Sequence, residues 1–364
     1  MNKYIYIDDE DIASVQSIID GLNGAGIIEV FRMPLKQGIK TDEIYQDLKT
    51  EEYDGIIMDY MLNGGGPYQI GSNSNPIAQY VRDLAEGGKS CPIVLCSTNE
   101  NLQKQLNSGY TSNDLYDYQF EKSFKINYKR ESELLDSLAN GYKQISNSKS
   151  EIRNILARDI AGLDPRPFEP FMCAETIQIK QCADLVLQDF FKYAGRLMSE
   201  DVLCARLGIA QTGSYADIVS VFAPAKYSGV FNEFGQYYWT DIVNRIFYDI
   251  FGTSLASVDA VRKIELLGQR FTTATLELAP MDEYSVSKNF WTVCDVTKVA
   301  LDPMEGYRLK EKTILKPWQE PRYVSFSALS DGLVEVNKIV DIDVLRYNQK
   351  VEYLTRRRNE SKRI

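Results

Sequence analysis

The chain has 364 residues, 44% of them hydrophobic and 25% charged, a composition for two or three folded domains and not for long disorder. It contains no histidine, which excludes Ser-His-Asp and Cys-His nucleophile pairs, HExxH zinc sites and phosphohistidine chemistry carried by this chain itself. The formal net charge of −10 lies mostly in residues 1–150, where acidic side chains exceed basic ones by eight, so nonspecific nucleic-acid binding is disfavoured.

In chain order, residues 3–7 (KYIYI) read as a strand. Residues 11–22 place Ile12, Val15, Ile18, Ile19 and Leu22 at helical spacing. A strand follows at 27–31 (IIEVF), then a short helix at 41–48 with Thr41 as its N-cap. Residues 55–58 (GIIM) and 92–96 (PIVLC) are apolar runs suited to buried strands, separated by a helix at 77–84. A weak helix at 101–106, a strand at 118–121 and a helix at 132–145 complete the first part. Strands alternating with helices predict βαβ units and a five-stranded parallel sheet, doubly wound and covered on both faces.

The fifth helix has two readings. Leu135, Leu138, Tyr142, Ile145, Ile152 and Leu156 follow a 3-4 spacing, with Lys149 in the gap. That pattern suits a coiled-coil seam between two protomers, which would make a homodimer, or a helix packed on its own domain. Gly141 and the SNSKS run at 146–150 weaken a continuous helix. Three prolines in DPRPFEP (164–170) mark a linker. The boundaries expected are a first domain at 1–147, a helical, Pro-rich linker at 148–170 and a C-terminal domain at 171–364. That last domain reads as α+β, mainly helical to Leu267, with strands expected in TTATLEL, FWTVCDV, RYVSFSA and VEVNKIVDID, and a final helix at 344–358.

In an open parallel sheet, ligands bind outside the carboxyl ends of the strands. The first strand ends at Asp8 and Asp9, the third at Asp59 and the fourth at Ser97 and Thr98, and Lys122 follows the fifth. Carboxylates brought this close repel unless a cation sits among them. Mg²⁺ fits, because it takes one or two carboxylates and fills its sphere with water and phosphate oxygens. A carboxylate so placed can act as a nucleophile, with Lys122 neutralising a transferring phosphoryl group.

These elements, in this order, resemble the receiver domain of two-component response regulators over residues 1–125. The resemblance implies that Asp59 is the phosphoacceptor and that Asp8, Asp9 and Asp59 hold Mg²⁺ with the backbone carbonyl of Met61. It also implies that Ser97 is a switch hydroxyl and that Lys122 pairs with Asp59 or its phosphate. Three departures stand out. The loop LNGGGPYQIGSNSNP after Asp59 is long and lacks the Gly-Lys-Ser/Thr ending of a nucleotide cradle. Ser123 stands where receivers carry proline, and Gln119 stands near the usual aromatic switch position, flanked by Tyr118 and Phe120. The missing histidine means the phosphodonor would be a partner, a sensor histidine kinase or phosphotransfer protein.

No output domain is recognisable in the second half. A helix-turn-helix candidate at 199–222 carries no Arg or Lys in its reading segment QTGSYADIV, so DNA binding is a poor fit. The basic end, Arg356, Arg357, Arg358, Lys362 and Arg363, reads as a solvated terminus. No constellation for turnover appears, so the only chemistry expected is self-catalysed aspartyl phosphorylation. The six cysteines form no CxxC pair and are expected as buried, reduced thiols. The N-terminus has no signal-peptide core and no apolar run reaches a membrane span, so the expected location is cytoplasmic. The function expected is a phosphorelay response regulator signalling by protein contact. A phosphorylation-controlled DNA-binding regulator and a phosphate sink in a phage-defence phosphorelay are the alternatives.

Overall fold

The computed structural model describes residues 1–64, 66–86, 90–102, 115–123, 125–148, 151–172, 178–311 and 313–361. Five parallel strands, β1 (Asn2–Ile7), β2 (Ile28–Arg32), β3 (Gly55–Met58), β4 (Ile93–Ser97) and β5 (Tyr118–Glu121), form one sheet in the order β2-β1-β3-β4-β5. This is the doubly wound α/β fold that the alternating pattern predicts. β3 and β4 are buried at every position, and β1 from Tyr4 to Ile7, because helices cover both faces of the sheet.

Helix α1 (Ile12–Gly24) starts where the Asp11 carboxylate accepts the Ser14 N–H at 2.8 Å. It buries Val15, Ile18, Ile19 and Leu22, and leaves Ile12 exposed. Helix α2 (Thr41–Thr50) begins at Thr41 itself, so its cap falls one residue before the expected one. Lys40 is the cap residue, and the Glu43 carboxylate accepts its N–H. Helix α3 (Asn75–Glu86) precedes β4, and residues 99–102 open a further helical turn. The rest of the helix expected at 101–106 lies outside the described residues.

Helix α4 (Tyr128–Asn147) takes the second of the two readings, packing on its own unit. Leu134, Leu135, Leu138, Tyr142 and Ile145 are all interior to their own unit. The helix ends at Asn147, and a separate helix, Ile152–Leu156, closes on Ala157 in the left-handed region. The 3-4 spacing therefore serves two packed helices and not one continuous coil. A second stretch of chain covers α4. Phe231, buried and at φ 63°, lies against Gly141 so closely that a Cβ there would come within 2.1 Å of its ring. Ser137 Oγ donates to Glu233 Oε2 at 2.7 Å, and Arg130 Nη2 donates to Phe234 O at 3.0 Å. The Phe234 ring meets Tyr118 of β5 edge-on, with centroids 5.8 Å apart.

The chain divides into two compact units. The first holds Met1–Gln188 and Ser228–Phe234, and the second holds Asp189–Tyr227 and Gly235–Ile364. The stretch 148–170, expected as a linker, falls within the first unit, where Ile152, Ile155, Leu156 and Phe168 are buried. In the same unit Asp117 has a completely buried side chain. It accepts Arg82 Nη2 at 2.7 Å and the Tyr142 hydroxyl at 2.6 Å, and Lys180 Nζ stands 3.5 Å away. These cations and hydrogen bonds hold its carboxyl below the usual range against a large burial penalty.

The second unit is mainly helical. Ser199 caps the helix Glu200–Leu207, and Gly208, at φ 80°, ends it. Tyr215–Val221, Thr240–Phe251, Ala260–Arg270 and Asp341–Ser361 follow. After Phe271 the β structure is present but reduced to two-residue strands. FWTVCDV yields only Thr292–Val293, and RYVSFSA only Tyr323–Val324 before the helix Phe326–Ser330. VEVNKIVDID forms a 3-10 turn at Val336–Lys338 and the start of the last helix. β-branched residues raise strand propensity, but a strand forms only where a partner edge is present. The helix-turn-helix candidate forms two helices, the second of seven residues burying Ile218 and Val219. Arg206 is wholly buried, stacked 4.2 Å from the Trp291 ring centroid and paired with Glu320 at 2.6 Å. All five described cysteines, Cys91, Cys96, Cys182, Cys204 and Cys294, are free and buried; Cys173 lies outside the described residues.

Candidate functional site

Parallel pairing brings the carboxyl ends of β1, β3, β4 and β5 to one edge of the sheet. The ladders run one residue beyond the strands. Asp59 N–H donates to Ile7 O at 3.0 Å, and Lys122 N–H donates to Ser97 O at 2.8 Å. Backbone pairing thus fixes where these side chains start, and Asp8, Asp9, Asp59 and Ser97 are all buried.

The cluster the sequence predicts is assembled. Carboxylate oxygens of Asp8, Asp9 and Asp59 lie within 4.8 Å of one another, the only such acidic group among the described residues. Lys122 Nζ bridges two of them, 2.6 Å from Asp8 Oδ2 and 3.2 Å from Asp59 Oδ1. Burial pushes the Asp59 carboxyl up. The Lys122 ammonium pulls it down again and Asp8 adds to the rise. Asp9 is also raised, first by burial, while the Gly64 N–H opposes the rise at 3.1 Å from its Oδ2. Lys122 is held above its ordinary value, because Asp59 and Asp8 outweigh its own burial, so it stays a cation.

Ser97 Oγ is buried and close enough to Asp59 to ease its charge, yet it has no hydrogen-bond geometry to any described group. An orphaned hydroxyl beside a carboxylate cluster suits a ligand that brings oxygen acceptors. Met61 N–H donates to Asp59 Oδ2 at 3.0 Å, so the residue expected to offer its carbonyl is tied to the acid through its amide. The donor set is all oxygen and carries excess negative charge, which fits a hard divalent cation. Thr98 is exposed, and its Oγ1 accepts the Asn101 N–H at 3.4 Å. Gln119 is exposed, whereas on the opposite face of β5 Tyr118 donates to Glu131 Oε2 at 2.9 Å and stacks on the buried Phe120.

Three contributors escape the sequence reading. The buried Tyr6 hydroxyl donates to Asp8 Oδ2 at 3.2 Å, a contact that period-two spacing along β1 makes legible in hindsight. Arg32, at the end of β2, donates to the backbone of the acidic turn. The long loop after Asp59 also packs onto Asp9. Tyr68 N–H donates to Asp9 O at 3.3 Å, and a Cβ on Gly66 would meet that oxygen at 2.1 Å. No local sequence signal marks the last two, because their partners lie on other elements.

The fold and this edge define the class as a doubly wound α/β domain of receiver-like fold with an acidic cluster at the carboxyl ends of its strands, and the second unit is unidentified. No family model matches the sequence, and no curated protein matches it. Solved structures similar to it include response regulators. A two-component response regulator from Clostridium difficile is 18% identical, covering 34% of this chain and 86% of that one, with a TM-score of 0.25. A response regulator from Colwellia psychrerythraea is 18% identical over 38% and 97%, with a TM-score of 0.23. A LuxR-family DNA-binding response regulator from Staphylococcus aureus is 10% identical over 38% and 100%, with a TM-score of 0.27. Likeness at this level carries no argument about activity.

Proposed function

We propose that the first unit is a phosphoacceptor of a phosphorelay, taking a phosphoryl group on Asp59 from the phosphohistidine of a partner kinase or phosphotransfer protein. The observation that carries this is the bridging of Asp8 and Asp59 by Lys122 beside the unpartnered Ser97 hydroxyl. An Asp59 oxygen attacks phosphorus. The O–P bond forms as the donor's N–P bond breaks, and the electron pair leaves on the imidazole nitrogen. Lys122 stays protonated throughout, so it neutralises charge on the transferring oxygens and moves no proton. Ser97 Oγ donates to one of those oxygens. Asp8, Asp9 and Asp59, with the Met61 carbonyl, would hold Mg²⁺, which supplies charge neutralisation and alignment for in-line transfer.

The second unit then carries the output, by protein contact. Among its described residues no catalytic set is recognisable, and the helix Tyr215–Val221 contains no basic residue for a DNA backbone. Among the described residues no helix is long and apolar enough to cross a membrane.

The test is intact mass after incubation with Mg²⁺ and a small phosphodonor, beside Asp59→Asn. One phosphoryl group should appear on the wild type only, and only with the metal. No gain in the wild type would refute the reading.

A further inference from the structure

The long loop after Asp59 is built into the wall of the acidic site, and one side chain outside the acidic set holds the two together. Arg32 Nη2 donates to two carbonyls of the acidic turn, Asp8 O at 3.2 Å and Glu10 O. Its guanidinium lies over the ring of Tyr68, 5.1 Å from the centroid. Nε and Nη1 are buried with no hydrogen-bond acceptor among the described residues, and the Tyr68 ring lies against the cation. From the other side the loop grips Asp9: Tyr68 N–H on its carbonyl, Gly64 N–H on its Oδ2, and Gly66 packed where no Cβ fits. Ile70 N–H donates to Leu62 O at 2.8 Å and closes the loop on itself.

We propose that Arg32 and Tyr68 form a clamp that positions the Asp8–Asp9 turn for metal binding. Arg32 is a positioning residue, because it touches the backbone that carries the ligands and no ligand oxygen. A metal site whose supporting hydrogen bonds are lost typically weakens 10–100-fold. The loop therefore acts on the affinity of the acids and is more than a cover. The inference rests on the divalent-cation reading above.

The test is a Mg²⁺ titration by calorimetry on the full chain, without phosphodonor, with melting temperatures measured separately in chelator. Arg32→Met and Tyr68→Ala should bind Mg²⁺ about tenfold more weakly or worse. Tyr68→Phe keeps the ring face and the backbone bond, and should stay within about twofold. All three should melt close to the wild type in chelator, which a merely structural role would not allow. Wild-type affinity in Tyr68→Ala overturns the clamp while leaving the metal reading intact, and this variant decides the matter should Arg32→Met fail to fold. Equal loss in Tyr68→Phe and Tyr68→Ala overturns the stacking. A wild type that binds no Mg²⁺ at millimolar concentration overturns both readings.

Discussion

Replacing Lys122 by Met should cost about 3 kcal/mol of folding stability at neutral pH in chelator. The Lys122 ammonium stands between Asp8 and Asp59, whose side chains are 0% and 7% exposed, while its own is 12% exposed. At an effective dielectric of about 20, two like charges about 4 Å apart repel by about 4 kcal/mol. A buried carboxylate escapes part of that penalty by taking up a proton, and removing one partner of a buried pair typically costs about 3–5 kcal/mol. The lower end applies here, since the Tyr6 hydroxyl and the Glu10 N–H still hold Asp8. The pH dependence has a definite sign. Asp9 and Asp59 have folded values raised above the unfolded ones, so the folded state binds the extra protons. Their strain is therefore relieved as pH falls through the folded values, and it returns as pH rises. The loss in Lys122→Met should shrink between about pH 7 and about pH 4.5, and added Mg²⁺ should shrink it at neutral pH. Urea unfolding at both pH values, with and without Mg²⁺, measures this. A loss below about 1 kcal/mol, or one that neither acid nor Mg²⁺ reduces, would refute the charge argument.

Gly141→Ala places a methyl group against the Phe231 ring, and should destabilise the protein by about 1–3 kcal/mol and expose Ser228–Phe234 to limited proteolysis. Unchanged cleavage and stability would show that the close approach is not tight. Asp184, raised to about 6 by burial and by Asp117 against the pull of Lys180, is strained when ionised. Wild type should lose about 1–2 kcal/mol relative to Asp184→Asn as pH rises from about 4 to about 6, after allowing for solvent screening. A flat difference across that window would contradict the burial.

Much of the first unit was legible because parallel sheets write themselves plainly in sequence. Fully buried strands read as unbroken apolar runs such as PIVLC, and their polar ends, Asp59 and Ser97, fall where the sheet stops. Chain order then brings the acids and Lys122 to one edge, which is why those side chains could be grouped before any contact was known. Tyr6 was half legible, two residues from Asp8 on the same face. Arg32 was not, since its use depends on Tyr68 from a loop 36 residues further along the chain. The 3-4 spacing of α4 was real but silent about its partner. An apolar stripe says that a face is covered, and either a second copy or the chain's own Ser228–Phe234 would satisfy it.

In the second unit the balance shifts. Helices with strong caps, such as Ser199 before Glu200–Leu207, were set locally by a hydroxyl meeting unpaired N–H groups. The β-branched runs after Phe271 were not, because a strand needs a neighbour, and among the described residues these runs find only two-residue ladders and single bridges. What the sequence by itself determined is therefore the set of elements whose energetics are local or periodic: apolar runs, amphipathic faces, caps, and the residue types at strand ends. What only the tertiary structure decided is which distant groups meet: Lys122 between two acids, Arg32 over Tyr68, Phe231 against Gly141. Those contacts depend on separation in space, which falls off over a few ångströms and leaves no periodic trace along the chain.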